Sequence, residues 1–116
     1  MIRQSNIHVF TMREIDEIGM RSVMEKAIEM ATRGTVGFHV SLDLDLLDPS
    51  EAPGVGTPVQ GGIMYRESHL AMEIISDSEK MLAFDIVEVN PILDERNSTA
   101  RVAAELCSSV FGKKIL

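Results

Sequence analysis

The sequence predicts an α/β fold, part of a doubly wound three-layer α/β/α arrangement around a parallel sheet, and three observations carry that expectation. From Val36 to Asp45 apolar and polar residues alternate with a period of two, the signature of a strand. Met20, Val23, Met24, Ala27, Ile28 and Ala31 recur at three- and four-residue intervals, the signature of an amphipathic helix. Strand-like and helix-like segments then follow one another in the order β-α-β-loop-α-β-α, which implies parallel pairing through crossover helices.

Each element has its own local reason. Ile7 to Phe10 is a short apolar run read as a strand, and Thr11-Met12-Arg13-Glu14 has the spacing of a capping box, so the first helix starts there. Gly34 supplies a left-handed stop to that helix. The next strand runs from Thr35 to Asp45, with Val36, Phe38, Val40, Leu42 and Leu44 on one parity and Gly37, His39, Ser41, Asp43 and Asp45 on the other. Leu46 to Gly62 holds three prolines and four glycines, a loop too long to be a mere connector. Leu70, Ala71, Ile74 and Ile75 mark a helix within Arg66 to Ser76, and Met81 to Val89 is a nearly continuous apolar strand broken by Asp85 and Glu88. Asn90-Pro91 ends it, and Asn97 caps a final helix carrying Val102, Ala103, Leu106 and Val110 before Gly112. Three strands are few for a parallel sheet, which is normally wider and covered on both faces, so the chain reads as one side of a larger domain.

Composition narrows the function classes. At 116 residues the chain reads as one domain over 1–116, and its net charge of −7 argues against nucleic acid or anionic membranes as partners. A single cysteine, Cys107, leaves no internal disulfide, and no apolar stretch approaches the ~20 residues of a membrane span. The first residues lack the apolar core and cleavage site of a signal peptide, so cytoplasm is the expected compartment.

Chemistry concentrates at the end of the second strand. Side chains two apart on a strand project together from points roughly 7 Å apart, so Asp43 and Asp45 face a common point at the carboxyl end, where open α/β sheets bind ligands. The competing reading is a pair of solvated charges on an edge strand. Five apolar residues on the opposite parity favour burial instead, and two buried carboxylates without a cation would cost several kcal/mol. A hard, oxygen-preferring ion of the magnesium or manganese type resolves that conflict. Glu88, near the end of the third strand, either salt-bridges a neighbouring helix or faces a cationic ligand. His8, His39 and His69 share no metal-ligand spacing and read as packed or surface histidines; Cys107 and the methionines read as core filler. A calcium hand is excluded, because Gly at the sixth and Glu at the twelfth loop positions are absent. The phosphatases of the haloacid-dehalogenase type also place Asp-x-Asp after an apolar strand, but with Thr or Val where this chain has Leu47.

A more specific match lies in Ser41-Leu42-Asp43-Leu44-Asp45, Asp48-Pro49, Pro53-Gly54 and Gly62, which resemble in order and spacing a signature of the manganese ureohydrolases, the arginase and agmatinase family. Tyr65-Arg66-Glu67 and Glu88-Val89-Asn90-Pro91 are most similar to the bacterial arginases, and the likeness spans essentially the whole chain as the C-terminal portion of that fold. The resemblance implies hydrolysis of L-arginine to L-ornithine and urea by hydroxide formed between two manganese ions. It also implies that Asp43 bridges the two ions, Asp45 binds one of them, Glu88 receives the guanidinium of arginine, and Thr57 stands nearby in support. The departure matters equally. The histidine and aspartate ligands that the family takes from Gly-Gly-Asp-His and Asp-x-His-x-Asp segments have no counterpart here, leaving two of six ligands. Two classes of function are therefore expected to compete: an enzyme portion that works only with its N-terminal half, and a non-catalytic remnant or assembly domain. In either case exposed sheet edges and the family's oligomeric habit imply a homo-oligomer.

Overall fold

The computed structural model describes residues 7–115. Helix α1, Met12–Ala31, begins on the expected capping box: the Thr11 N–H donates to Glu14 Oε2 at 2.7 Å and the Glu14 N–H to Thr11 Oγ1 at 3.3 Å. Gly19, at φ 82°, breaks the helical backbone within α1, a kink the periodicity does not announce. Strand β1, Phe38–Asp43, pairs in parallel with β2, Met81–Val87, and helices α2, Tyr65–Asp77, and α3, Ser98–Val110, follow one strand each. Residues 7–10 form no strand. An extended segment needs a neighbour to satisfy its backbone groups, and among the described residues only β1 and β2 pair as a sheet.

One face of the sheet carries the core. Val40 and Leu42 of β1 and Phe84 and Ile86 of β2 turn toward Ala71, Met72 and Ile75 of α2 and Leu106 and Val110 of α3. Burial falls on alternate residues of β1, as the period of two requires, with His39 and Ser41 on the exposed face. That second face is open among the described residues, so two of the expected three layers are present. There Ser41 Oγ donates to Asp85 Oδ1 at 2.6 Å and His39 Nε2 lies 2.7 Å from Asp85 Oδ2, cross-linking the strands. The Ser41 bond chiefly holds the Asp85 carboxyl below its ordinary range, against some burial, with His39 adding to it.

Polar contacts seam α2 to α3. The Tyr65 hydroxyl donates to Glu105 at 2.7 Å, His69 Nδ1 lies 2.7 Å from Ser109 Oγ, and the Glu73 carboxylate accepts the Ile115 N–H at 3.1 Å. Residues 65, 69 and 73 recur every four positions, so one stripe of α2 meets successive turns of α3 and the segment after it. His69 is 1% exposed and its Nε2 has no hydrogen-bond partner among the described residues.

Burial lowers the His69 pKa, while Glu105 and Glu73 partly oppose that fall. Above the unfolded value of about 6.5 neither state holds the proton and this group leaves stability unchanged; below it the unfolded chain takes a proton that the folded chain refuses, so stability falls. The urea midpoint is therefore expected to drop between about pH 7 and about pH 5, with a shallower drop in His69→Gln; an unchanged slope in that variant would exclude His69 as the cause.

Candidate metal centre

Asp43 and Asp45 reach the carboxyl rim of the sheet by a route that alternation alone does not describe. β1 stops at Asp43, and Leu44–Leu46 close a turn of 3-10 helix. Asp43 Oδ1 accepts the Asp45 N–H at 3.1 Å, so a side chain competes for a backbone donor and ends the strand two residues before the expected Asp45. Asp45 thus sits on a helical turn rather than on the strand, and the pair is brought together by a cap. Both residues are partly buried. Asp45 Oδ2 accepts the Thr57 hydroxyl at 2.5 Å, which joins the expected supporting residue directly to the expected ligand.

Glu88 arrives from the second strand. Asp43 pairs with Val87 at the last step of the ladder, so Glu88 is the first residue beyond the rim. Its backbone is left-handed, φ 66°, which ends β2 two residues short of the expected Val89 and costs a non-glycine residue about 1 kcal/mol or more. The Glu88 side chain is exposed and reaches toward Gly56: a Cβ there would meet Glu88 Oε2 at 3.1 Å. No ion pair among the described residues involves Asp43, Asp45 or Glu88, so the competing salt bridge for Glu88 is not formed and the rim is acidic without a compensating cation.

The long loop spans the gap between these acids. Its base is closed by Asp48, whose N–H donates to the Ile63 carbonyl at 3.1 Å and whose carboxylate accepts from the Ser50 N–H and hydroxyl and from the Gly61 N–H. These bonds, Ser50 foremost, hold the Asp48 carboxyl below its ordinary range. Asp48 is a loop staple, a role the acid-rich run conceals. Gly62 is needed beside it, since a Cβ would lie 2.5 Å from the Asp48 nitrogen and the Leu47 carbonyl carbon. Further along, the Asn90 N–H donates to the Gly54 carbonyl at 2.7 Å, tying the loop to the segment that follows Glu88.

The donor set fits a hard divalent ion in type but not in number. Carboxylate oxygens suit manganese, yet a six-coordinate ion needs more than Asp43 and Asp45 supply. Among the described residues no group of three or more histidine, cysteine, aspartate or glutamate side chains could hold a metal ion.

The chain is similar to known proteins along its whole length. A profile described as the Arginase family matches residues 1–112. The arginase of Bacillus caldovelox is 56% identical over 99% of this chain and 38% of its own length, and that of Brevibacillus brevis is 55% identical over 100% and 39%. The native structure of the Bacillus caldovelox arginase at pH 5.6 superposes with a TM-score of 0.94, again covering 99% of this chain and 38% of that one. The chain thus spans well under half the length of the relatives it matches.

Substituting Gly62→Ala is expected to lower unfolding free energy by about 1–3 kcal/mol, because backbone atoms must move, whereas Thr57→Val, at an exposed site, is expected to stay within about 0.5 kcal/mol of wild type. Urea denaturation measures both, and a neutral Gly62→Ala would contradict the loop-staple assignment.

Proposed function

The chain belongs to the arginase family, and on that premise we propose that it is the C-terminal portion of an arginase, hydrolysing L-arginine to L-ornithine and urea when completed by the N-terminal half of the fold. The single observation that supports this reading most is the rim itself. Asp43 at the end of β1, Asp45 on the turn that follows it, and Glu88 just beyond β2, none of them paired with a cation among the described residues, support part of a hard-cation site facing a cationic substrate.

Within that proposal each residue has a separate task. Asp43 and Asp45 would be the residues of this chain that hold manganese, while Thr57 fixes the Asp45 carboxylate through its hydroxyl. When bound, the paired ions supply a hydroxide near neutral pH by lowering the pKa of water. Glu88 would accept charge-assisted hydrogen bonds from the guanidinium N–H groups and so hold the guanidinium carbon over Asp43 and Asp45. Its carboxylate is free for that task, since no lysine, arginine or histidine pairs with it among the described residues.

The remaining donors must come from outside this chain, and two features support a covering partner of the same fold. Among the described residues β1 has one sheet neighbour and therefore a free edge. Beside it, an apolar cavity of about 620 Å³ lies between α1, β1, the 59–63 segment and α2, with Ser41 and Asp45 in its wall. We assign this surface to the N-terminal half, and a homo-oligomer of the completed enzyme in the cytoplasm is part of the same reading. No helix among the described residues is long and apolar enough to cross a membrane.

Alone, with manganese and arginine, the purified chain is expected to release no urea above blank; co-expression with the N-terminal half of a related arginase is expected to restore release. In that assembled form Glu88→Gln should lower kcat/KM for arginine by about 10- to 100-fold. Urea from the chain alone would overturn the two-of-six ligand account, and silence after assembly would favour the non-catalytic alternative.

A further inference from the structure

We infer that Thr99, at the start of α3, is a positioning residue for the rim: its buried hydroxyl clamps the loop that carries Thr57 to Asp45 and passes beneath Glu88. Thr99 is 0% exposed, and its Oγ1 accepts the N–H of Gly54, 45 residues away in sequence, at 2.8 Å. The backbone of Thr99 is in turn held by the carboxylate of Asp94. Asp94 Oδ1 accepts the Thr99 N–H at 3.0 Å and the Ser98 hydroxyl at 3.1 Å, while Oδ2 accepts the Ala100 N–H at 3.1 Å. The Thr99 hydroxyl therefore ties the Gly54 amide to the start of α3, where Asp94 fixes the Thr99 and Ala100 amides of the first turn.

Gly54 is held on every side. Its carbonyl accepts from Asn90, two residues past Glu88, and a Cβ at this position would lie 2.5 Å from the Cβ of Asp94. Two and three residues further on, Gly56 passes Glu88 Oε2 and Thr57 bonds Asp45. The clamp thus joins both halves of the rim: without the Thr99 hydroxyl, the Gly54 N–H is left buried without an acceptor and the loop loses its anchor between Asp45 and Glu88. The backbone carries a further sign of constraint here, because Glu88, Arg96 and Asn97 are all left-handed at φ 66°, 52° and 58°. Such conformations persist where surrounding contacts over-determine them. Burial pushes the Asp94 carboxyl up, but the amide and hydroxyl donors outweigh it and hold the group down to about 2, so Asp94 remains an acceptor for the first turn of α3 throughout the neutral range.

Relevance to catalysis rests on the arginase reading above; the clamp itself does not, and the test separates them. Amide hydrogen exchange of the 116-residue chain compares wild type, Thr99→Val and Thr99→Ser. Thr99→Val is expected to speed exchange of the Gly54 amide by about tenfold or more and to shift the Thr57 and Glu88 amide resonances, while core amides of α2 and α3 stay protected. Thr99→Ser, which keeps the hydroxyl and loses a methyl, restores wild-type protection at Gly54. Wild-type Gly54 exchange in Thr99→Val, or a loss of protection shared evenly by α2 and α3, overturns the clamp. If Thr99→Val does not fold, Thr99→Ser decides: Gly54 exchange accelerated in step with its α3 neighbours overturns it, and Gly54 held at the wild-type rate supports it. In the assembled enzyme Thr99→Val should raise KM for arginine with rescue by Thr99→Ser. Should no variant, wild type included, hydrolyse arginine, the functional reading fails while the exchange result still decides the clamp.

Discussion

Two parallel strands that end in step are the constraint on which everything else at the rim depends. From His39 opposite Ala83 to Asp43 opposite Val87 the ladder keeps one register, and Glu88 then emerges beside the end of β1 because Val87 is already its neighbour's match. A slip of one residue would turn every side chain of a strand to the other face, moving Leu42 out of the core and Asp43 off the open side. Asp85 guards against that slip. It takes hydrogen bonds from both His39 and Ser41 in the middle of the ladder, so the register is fixed by side chains as well as by the apolar face.

Beyond the strands, the geometry is set by competition between side chains and backbone for the same donors. Asp43 takes an amide of its own turn, Asp48 takes those of Ser50 and Gly61, and Asp94 takes those of Thr99 and Ala100. Asp43 ends β1, Asp48 closes the base of the long loop, and Asp94 precedes α3. The carboxylates therefore fall into two sets: some organise the turns, and others, Asp45 and Glu88 among them, form no ion pair among the described residues. The left-handed backbone at Glu88 is stabilised by the contacts of the Asn90 and Gly54 backbones just beyond it.

How much of this the sequence discloses follows from the range of each interaction. Thr11 and Glu14 are three residues apart, and the helix they cap is as expected; α2 and α3 are equally legible because their apolar stripes repeat within a few residues. Alternation located β1 and placed Asp43 and Asp45 near one rim, but it carried the strand through Asp45, since a period of two holds no signal for an Asp43 side chain capturing a nearby amide. For α3 the sequence pointed to Asn97, which stands at the cap position without a side-chain bond; Asp94, three residues earlier, bonds the exposed amides instead. Ile7 to Phe10 failed as a strand because apolarity supplies no partner for its backbone. The Gly54–Thr99 contact was invisible, as its two members are far apart in sequence and only the fold brings them together.

Paramagnetic broadening on adding manganese to the isotopically labelled chain tests the shared rim most directly, since it reports where even a weakly held ion resides. The first amides to broaden should be those of residues 43–46, followed by Thr57 and Glu88, with the exposed acids of α1 and the Asp94 turn remaining sharp. Broadening that begins at those other acids, or that reaches Asp43 and Asp45 while sparing Glu88, would contradict the arrangement of all three carboxylates around one ion-binding rim.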